Sequence, residues 1–326
     1  MIFFILNIGP YNLKNKLLAA PMAGITDNPF RKLCLKYGAD IAYSEMVSSN
    51  PSCWSTNKSQ LRAISVDEDI KVTQIAGSEP HLLAEAAKYN VDKGSQIIDI
   101  NMGCPAKKVN KKLSGSALLK DEALVKKILK SVVDSVSVPV TLKIRTGWSL
   151  NNKNCVTIAK IAEDSGVQAL TVHGRTRECM FKGTIDYESI KKVKKAINIP
   201  VIANGDIVSP QKAKYVLDFT GADAIMIGRA AQGNPWIFKE ISQYLLNQKE
   251  MFSAPSLEEK KKDIIDHLEG LYSLYGDYLG TRIARKHVIW YLMPYEYFKQ
   301  CKRRFTMLEQ PHEQLSFINQ FFQKQL

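Results

Sequence analysis

The chain has no Cys-x-x-Cys pair, and none of its five histidines stands at zinc-ligand spacing from its six cysteines, at 34, 53, 104, 155, 179 and 301. Neither a disulfide framework nor a metal site is expected. Long apolar runs are also missing. The opening MIFFILNIG carries no basic leader and no signal-type cleavage pattern, and it is much shorter than a membrane span. The expectation is a cytoplasmic protein with no membrane contact and no obligate protein partner evident. Acidic residues are outnumbered, 32 against 45 basic ones, and the resulting +13 favours an anionic partner such as nucleic acid or a phosphorylated substrate. The excess is mostly lysine, so charge alone does not choose between them. Absent too is a G-x-G-x-x-G fingerprint after the first apolar run, where PMAGITDNPF stands instead, and this disfavours an open dinucleotide-binding sheet.

What is present is an alternation. Eight short apolar runs follow one another: LLAAPM (17–22), IAYSEM (41–46), VTQIAG (72–77), IIDINMG (97–103), VTLKIRTG (140–147), ALTVHG (169–174), VIANGD (201–206) and AIMIGRA (224–230). Stretches such as DEALVKKILKSVVDSV and PQKAKYVLDFTG lie between them, with apolar residues at helical spacing and Gly or Pro near their ends. Eight buried strands alternating with helices predict an α/β fold, a TIM (β/α)8 barrel. Beyond about residue 240 the strand signal stops, and a Tyr-rich helical pattern punctuated by Gly270, Gly276 and Gly280 takes over. The predicted organisation is a barrel domain over 1–243 and a small C-terminal all-helical domain over 244–326, with NQKEMFSAPS as linker.

Barrel enzymes work at the C-terminal ends of their strands, and here those ends are rich in functional groups. They carry Pro21, Met22 and Ala23, then Glu45, Gln74, Asn101 with Cys104, Lys143 with Arg145, His173 with Arg175 and Arg177, Asn204-Gly205-Asp206, and Gly228-Arg229. The loops after strands seven and eight commonly hold phosphate through backbone N–H groups, and NGDI and IGRAAQGNPW supply the glycines while Arg229 adds charge. A ligand with a terminal phosphate is therefore favoured over the reading of NGD as an ordinary turn.

Three residues stay open on chemistry alone. Lys143, inward-facing on its strand, fits a Schiff-base lysine, a donor to a cofactor's electron-rich edge, or a structural ion pair. His173 taken singly fits a core histidine, but the cluster HGRTR suits an anionic ligand better than packing. Cys104, in a Gly-Cys-Pro turn, is a structural thiol, a nucleophile or a proton donor; an unperturbed thiol is mostly protonated at neutral pH and can donate.

Taken together, APMAGITDNPFR (20–31), QIAGSEP (74–80), DINMGCPAKKVNKKLSGSALL (99–119), LKIRTGW (142–148), HGRTR (173–177), IANGDI (202–207), IMIGRAAQGNPW (225–236) and RIARKHVIWY (282–291) resemble the tRNA-dihydrouridine synthases, most closely the bacterial B-type branch. The resemblance spans nearly the whole chain, and NMGCP is its most specific element. It implies an FMN-dependent enzyme that reduces uridine in tRNA to 5,6-dihydrouridine, with NADPH reducing the flavin first. It implies that Pro21, Met22, Ala23 and Gln74 lie around the isoalloxazine, that Lys143 and His173 donate to its polar edge, and that Asn204, Gly205, Asp206, Gly228 and Arg229 hold the ribityl phosphate. Cys104 matches the family's catalytic cysteine, with Asn101 and Arg145 orienting the base.

A uridine must leave the RNA stack to reach such a site, and contacts elsewhere must offset an unstacking cost of a few kcal/mol. Arg175 and Arg177 are candidate substrate contacts. Candidates for phosphate contact are Lys107, Lys108, Lys111 and Lys112, and in the helical segment Arg282, Arg285, Lys286 and the cluster Lys302-Arg303-Arg304. KKVKK at 191–195 reads instead as the solvated face of a barrel helix. Three other readings stand beside this one: a barrel flavoenzyme acting on a free pyrimidine or enone, a flavin-free lysine aldolase, and a non-catalytic RNA-binding protein.

Overall fold

The computed structural model describes residues 6–64, 69–111, 113–247 and 254–324; Lys112, residues 1–5 and most of the expected linker lie outside them. In chain order the strands are β1 (Leu6–Ile8), β2 (Tyr11–Leu13), β3 (Leu17–Ala19), β4 (Ile41–Ala42), β5 (Val47–Ser48), β6 (Val72–Ala76), β7 (Ile97–Met102), β8 (Val140–Arg145), β9 (Ala169–His173), β10 (Val201–Asn204) and β11 (Ala224–Ile227). From β3 onward they form one sheet in the order β4-β3-β11-β10-β9-β8-β7-β6-β5, and every pairing is parallel. A parallel bridge between Tyr43 and Val72 joins the β4 segment to β6, so β4 and β5 together make one stave and the sheet closes as an eight-stave barrel. This is the predicted (β/α)8 architecture.

Register explains why the runs look apolar throughout yet carry chemistry at one end. Successive side chains alternate between faces. Ile98, Ile100, Leu142, Ile144, Leu170, Val172, Val201 and Ala203 face outward into the core beneath the surrounding helices. The inward series runs Val72 to Gln74, Ile97 through Asp99 to Asn101, Thr141 through Lys143 to Arg145, Ala169 through Thr171 to His173, and Ile202 to Asn204. Each inward series grows more polar toward the C-terminal end, so the barrel has an oily floor and a polar ceiling.

The floor is sealed by a feature the sequence reading did not foresee. The antiparallel hairpin β1–β2 packs Leu6, Ile8 and Leu13 against Leu18, Ile41, Val72, Ile97, Ala169, Ile202 and Ala224 at the N-terminal strand ends. Its turn depends on Gly9, at φ 57°, where a Cβ would stand 2.3 Å from Pro139 Cγ.

The C-terminal region consists of helices Leu257–Leu292, Glu296–Met307 and Pro311–Gln323. A capping box at Ser256 and Glu259 starts the first, and Gly276 (φ 74°, ψ 165°) breaks it into two segments. These helices share an aromatic core of Phe298, Phe305, Phe317, Phe321 and Phe322. They are also keyed to the barrel: buried Asp263 accepts hydrogen bonds from Lys36, from the Tyr37 hydroxyl and, at 2.8 Å, from Trp236 Nε1. The boundary expected at 243/244 falls inside a continuous helix, Ile237–Asn247. Among the described residues no helix is long and apolar enough to cross a membrane, and no group of His, Cys, Asp or Glu is arranged to hold a metal.

Candidate active site

The polar ceiling opens into a cavity of about 740 Å³, within the range of roughly 300–1,000 Å³ that small-molecule and cofactor sites occupy. Pro21, Met22, Ala23, Gln74, Asn101, Cys104, Lys143, Arg145, His173, Asn204, Gly205, Asp206, Gly228 and Arg229 all line it. Seven of the eight strand ends thus bring their predicted residues to one space; Glu45, predicted at the second, is buried outside the cavity wall.

Beneath the cavity a chain of hydrogen bonds fixes the Cys104 turn. Buried Asp99 accepts from Thr141 Oγ1 and from Gln74 Nε2, both at 2.7 Å. Gln74 Oε1 then accepts from Asn101 Nδ2 (2.7 Å), and Asn101 Oδ1 accepts the backbone N–H groups of Gly103 (3.2 Å) and Cys104 (3.0 Å). The Cys104 carbonyl is held in turn by the N–H and hydroxyl of Ser116. Burial pushes Asp99 up to about 6. Burial also raises the Cys104 thiol, against the lowering influence of the Ala106 N–H and the positive charges of Arg145 and Lys143. The thiol is therefore neutral at physiological pH, which favours the proton donor over the nucleophile.

On the opposite side Lys143 Nζ donates to Asn204 Oδ1 at 3.0 Å, and burial lowers its pKa to about 8. His173 is held neutral by burial and by the cations Lys143, Arg145, Arg175 and Arg229 around it. Its ring has no hydrogen-bond partner among the described residues and faces the cavity. Gly205, at φ 128°, lies so close to His173 and Ile185 that a Cβ would stand 2.8 Å from Ile185 Cδ1. The neighbouring Asp206 is left-handed as well (φ 45°) and sits between two arginines, Arg175 (2.6 and 3.1 Å) and Arg229 (2.6 Å). Among the described residues, the backbone N–H groups of Gly205, Asp206, Gly228, Arg229 and Ala230 donate to no acceptor. Five orphan donors beside an arginine form a ready anion site.

The sequence profile of the dihydrouridine synthase (Dus) family matches residues 17–326. The chain belongs to this family. Curated relatives agree: tRNA-dihydrouridine synthase B of Vibrio vulnificus is 59% identical over 318 residues, covering 97% of this chain and 98% of the relative. Its Escherichia coli counterpart is 56% identical over 319 residues, with 98% and 99% covered. Among solved structures the fold is similar to histamine dehydrogenase from Rhizobium sp. 4-9, at TM-score 0.57 and 12% identity over 82% of this chain and 50% of that one.

In this synthase several predicted cations lie outside the cavity wall. Arg175 is buried and spends its donors on Asp206 and on the Lys182 and Gly183 carbonyls. Arg177 lies over the Trp148 ring, 4.5 Å from its centroid. Arg145, within the wall, binds the carbonyls of Gly103, Thr176 and Met180, and its Nη2 donors have no described partner. Lys107 and Lys108 are exposed on the short helix that follows the Cys104 turn. Arg282 packs on Tyr278, 3.6 Å from the ring centroid, Arg285 donates to the Leu308 carbonyl (3.0 Å), and Lys286 reaches the Gly24 carbonyl. Arg303 and Arg304 are exposed. The stretch 191–195 lies on the barrel helix Tyr187–Ala196, with Lys194 paired to Asp223.

Sequence reasoning missed Met46, Met180, Phe181 and Val208, which also line the cavity, and the buried Asp99 below it. Phe181 is half exposed, between the guanidinium groups of Arg145 (5.3 Å) and Arg229 (5.5 Å). The signal was the apolar pair Met180-Phe181 inside an otherwise polar loop.

Proposed function

We propose that the chain is an FMN-dependent tRNA-dihydrouridine synthase that reduces particular uridines of tRNA in the cytoplasm, with NADPH as the source of electrons. The observation that carries this reading is that the neutral Cys104 thiol and the orphan N–H cluster of residues 205–206 and 228–230 face the same cavity. A nucleotide cofactor needs the second and a pyrimidine reductase needs the first.

The residues present fit FMN. Arg229 and the free N–H groups suit its phosphate, while Lys143 and the unpartnered His173 offer donors to the polar edge of its ring system. Pro21, Met22, Ala23 and Gln74 supply the wall beside that ring. Asp206 serves this arrangement indirectly, because its carboxylate aims Arg229 and leaves the Asp206, Arg175 and Arg229 group with net charge of one positive unit.

When bound, reduced FMN supplies the hydride that adds to C6 of the uracil. The chain supplies the remaining proton: Cys104 Sγ–H protonates C5, where negative charge develops. The resulting thiolate is stabilised by the fields of Arg145 and Lys143 and by the Ala106 N–H until solvent returns a proton. Asn101, with one amide hydrogen given to Gln74 and the other directed at the weak acceptor Met46 Sδ (3.8 Å), has a donor to offer a uracil carbonyl. The free Nη2 donors of Arg145 offer another. Phe181, half exposed at the cavity wall, offers an aromatic surface for a nucleobase to pack against.

Cys104→Ala tests this. Flavin binding and NADPH oxidation should persist while dihydrouridine formation falls by about 10²–10⁴-fold, the usual contribution of a general acid. A normal product yield, measured by nucleoside analysis of the tRNA, would remove the proton-donor role.

A further inference from the structure

The helical region touches the cavity wall at one charged point. Lys286, on the segment after the Gly276 break, extends its ammonium to the Gly24 carbonyl. The N–H of the same residue, Gly24, donates to Glu45 Oε2 at 2.6 Å. Glu45 is buried and is also met by Arg62 Nε at 3.2 Å. One glycine is thus pinned on both faces, by a cation from the helices and by an anion from the second stave.

This glycine ends the loop Pro21–Gly24. Behind it the chain folds into a tight turn, with the Ile25 and Thr26 N–H groups on the Met22 carbonyl and the Met22 N–H on Thr26 Oγ1. The buried Arg31 holds the Thr26 carbonyl from below at 2.7 Å. Within the loop itself, Gly24 is exposed and its anchors are the two charged groups just named.

From this geometry we infer that Lys286 is a positioning residue, which sets the cofactor-facing loop Pro21–Gly24 from the helical region, rather than a contact to tRNA phosphate. The lysine is half-buried, with Asp27 and Glu45 as its acidic neighbours. Tyr275, from the helical segment before the Gly276 break, approaches the same Asp27 at 3.4 Å. A cation already spent on a carbonyl, with two carboxylates close enough to oppose an approaching anion, has little to offer a phosphate. The identity of the group that the loop faces rests on the FMN reading above, but the pinning of Gly24 does not.

Lys286→Met, which keeps the stem and removes the charge, and Lys286→Arg, which restores it, separate the roles. In cofactor-free protein, Lys286→Met should speed amide hydrogen exchange at Gly24 by about tenfold, the consequence of losing a charged hydrogen bond. FMN should bind more weakly with an altered visible spectrum, and Lys286→Arg should recover both. The salt dependence of tRNA binding should stay as in the wild type. Unchanged exchange at Gly24, or a salt slope reduced by roughly one, the mark of one lost phosphate contact, would overturn the assignment. Should the wild type bind no FMN, the cofactor reading would fail, while exchange at Gly24 would still decide for or against Lys286.

Discussion

The two ends of the barrel are built from the same strands and obey opposite rules. At the N-terminal end the inward side chains are Val72, Ile97, Ala169, Ile202 and Ala224, roofed by the hairpin β1–β2 and buried without polar demands. At the C-terminal end the inward side chains are Gln74, Asn101, Lys143, Arg145, His173 and Asn204, and the rim exposes apolar residues such as Leu150, Phe181 and Val208. A folding optimum would place these the other way round, with charges outside and Phe181 inside. The lower end stabilises the protein, and the upper end holds groups that burial disfavours, ready for a ligand.

Removing one large side chain from the floor should give the largest effect on stability. Leu13→Ala is expected to lower it by about 2–5 kcal/mol, read by chemical denaturation, with activity per folded molecule unchanged. Loss of activity out of proportion to unfolding would show that the two ends are not separable.

The ceiling should behave in the opposite sense, and Asp99 is the place to look. Its pKa is raised to about 6 from 3.8, so the folded chain holds this proton more tightly than the unfolded one. The carboxyl therefore contributes stability below about pH 4, and that contribution is lost as pH rises through about 6. Asp99→Asn should remove this component from the pH–stability profile, so that wild type and variant differ in slope between about pH 4 and 6. At the same time it should lower turnover, because the amide chain through Gln74 and Asn101 to the Cys104 turn loses its anchor. Parallel profiles would mean that Asp99 keeps an ordinary pKa and that the ceiling carries no such penalty.

Smallest of all should be the change from replacing Lys107 and Lys108 by alanine. Both are exposed beside the mouth, so the tRNA KM should rise modestly and the salt slope should fall by roughly one to two, with flavin affinity unaffected. That pattern would be the reverse of the one expected at Lys286, and identical patterns at the two places would erase the distinction between outer contact and inner support.

Much of this was legible beforehand, for definite reasons. Eight apolar runs that alternate with helical stretches admit few folds, and the strand-end rule then gathers residues as distant in sequence as Pro21 and Arg229. Local pattern carried less where partners are remote. The contact between Lys286 and Gly24 spans 262 positions, and nothing near either residue announces the other. Arg175 looked like a ligand donor, but its carbonyl and Asp206 partners come from loop geometry that composition does not encode. The floor hairpin escaped notice because its strands have three residues each, too few to show a period. Asp99 hid within its own run, since an acid between isoleucines reads as alternation whether it faces water or a buried glutamine.

The plugged floor has a last implication. With that end stoppered, traffic under the proposed chemistry shares one doorway: whatever delivers electrons must step aside before a tRNA arm can enter. The molecule would then work as a turnstile, admitting donor and acceptor in alternation.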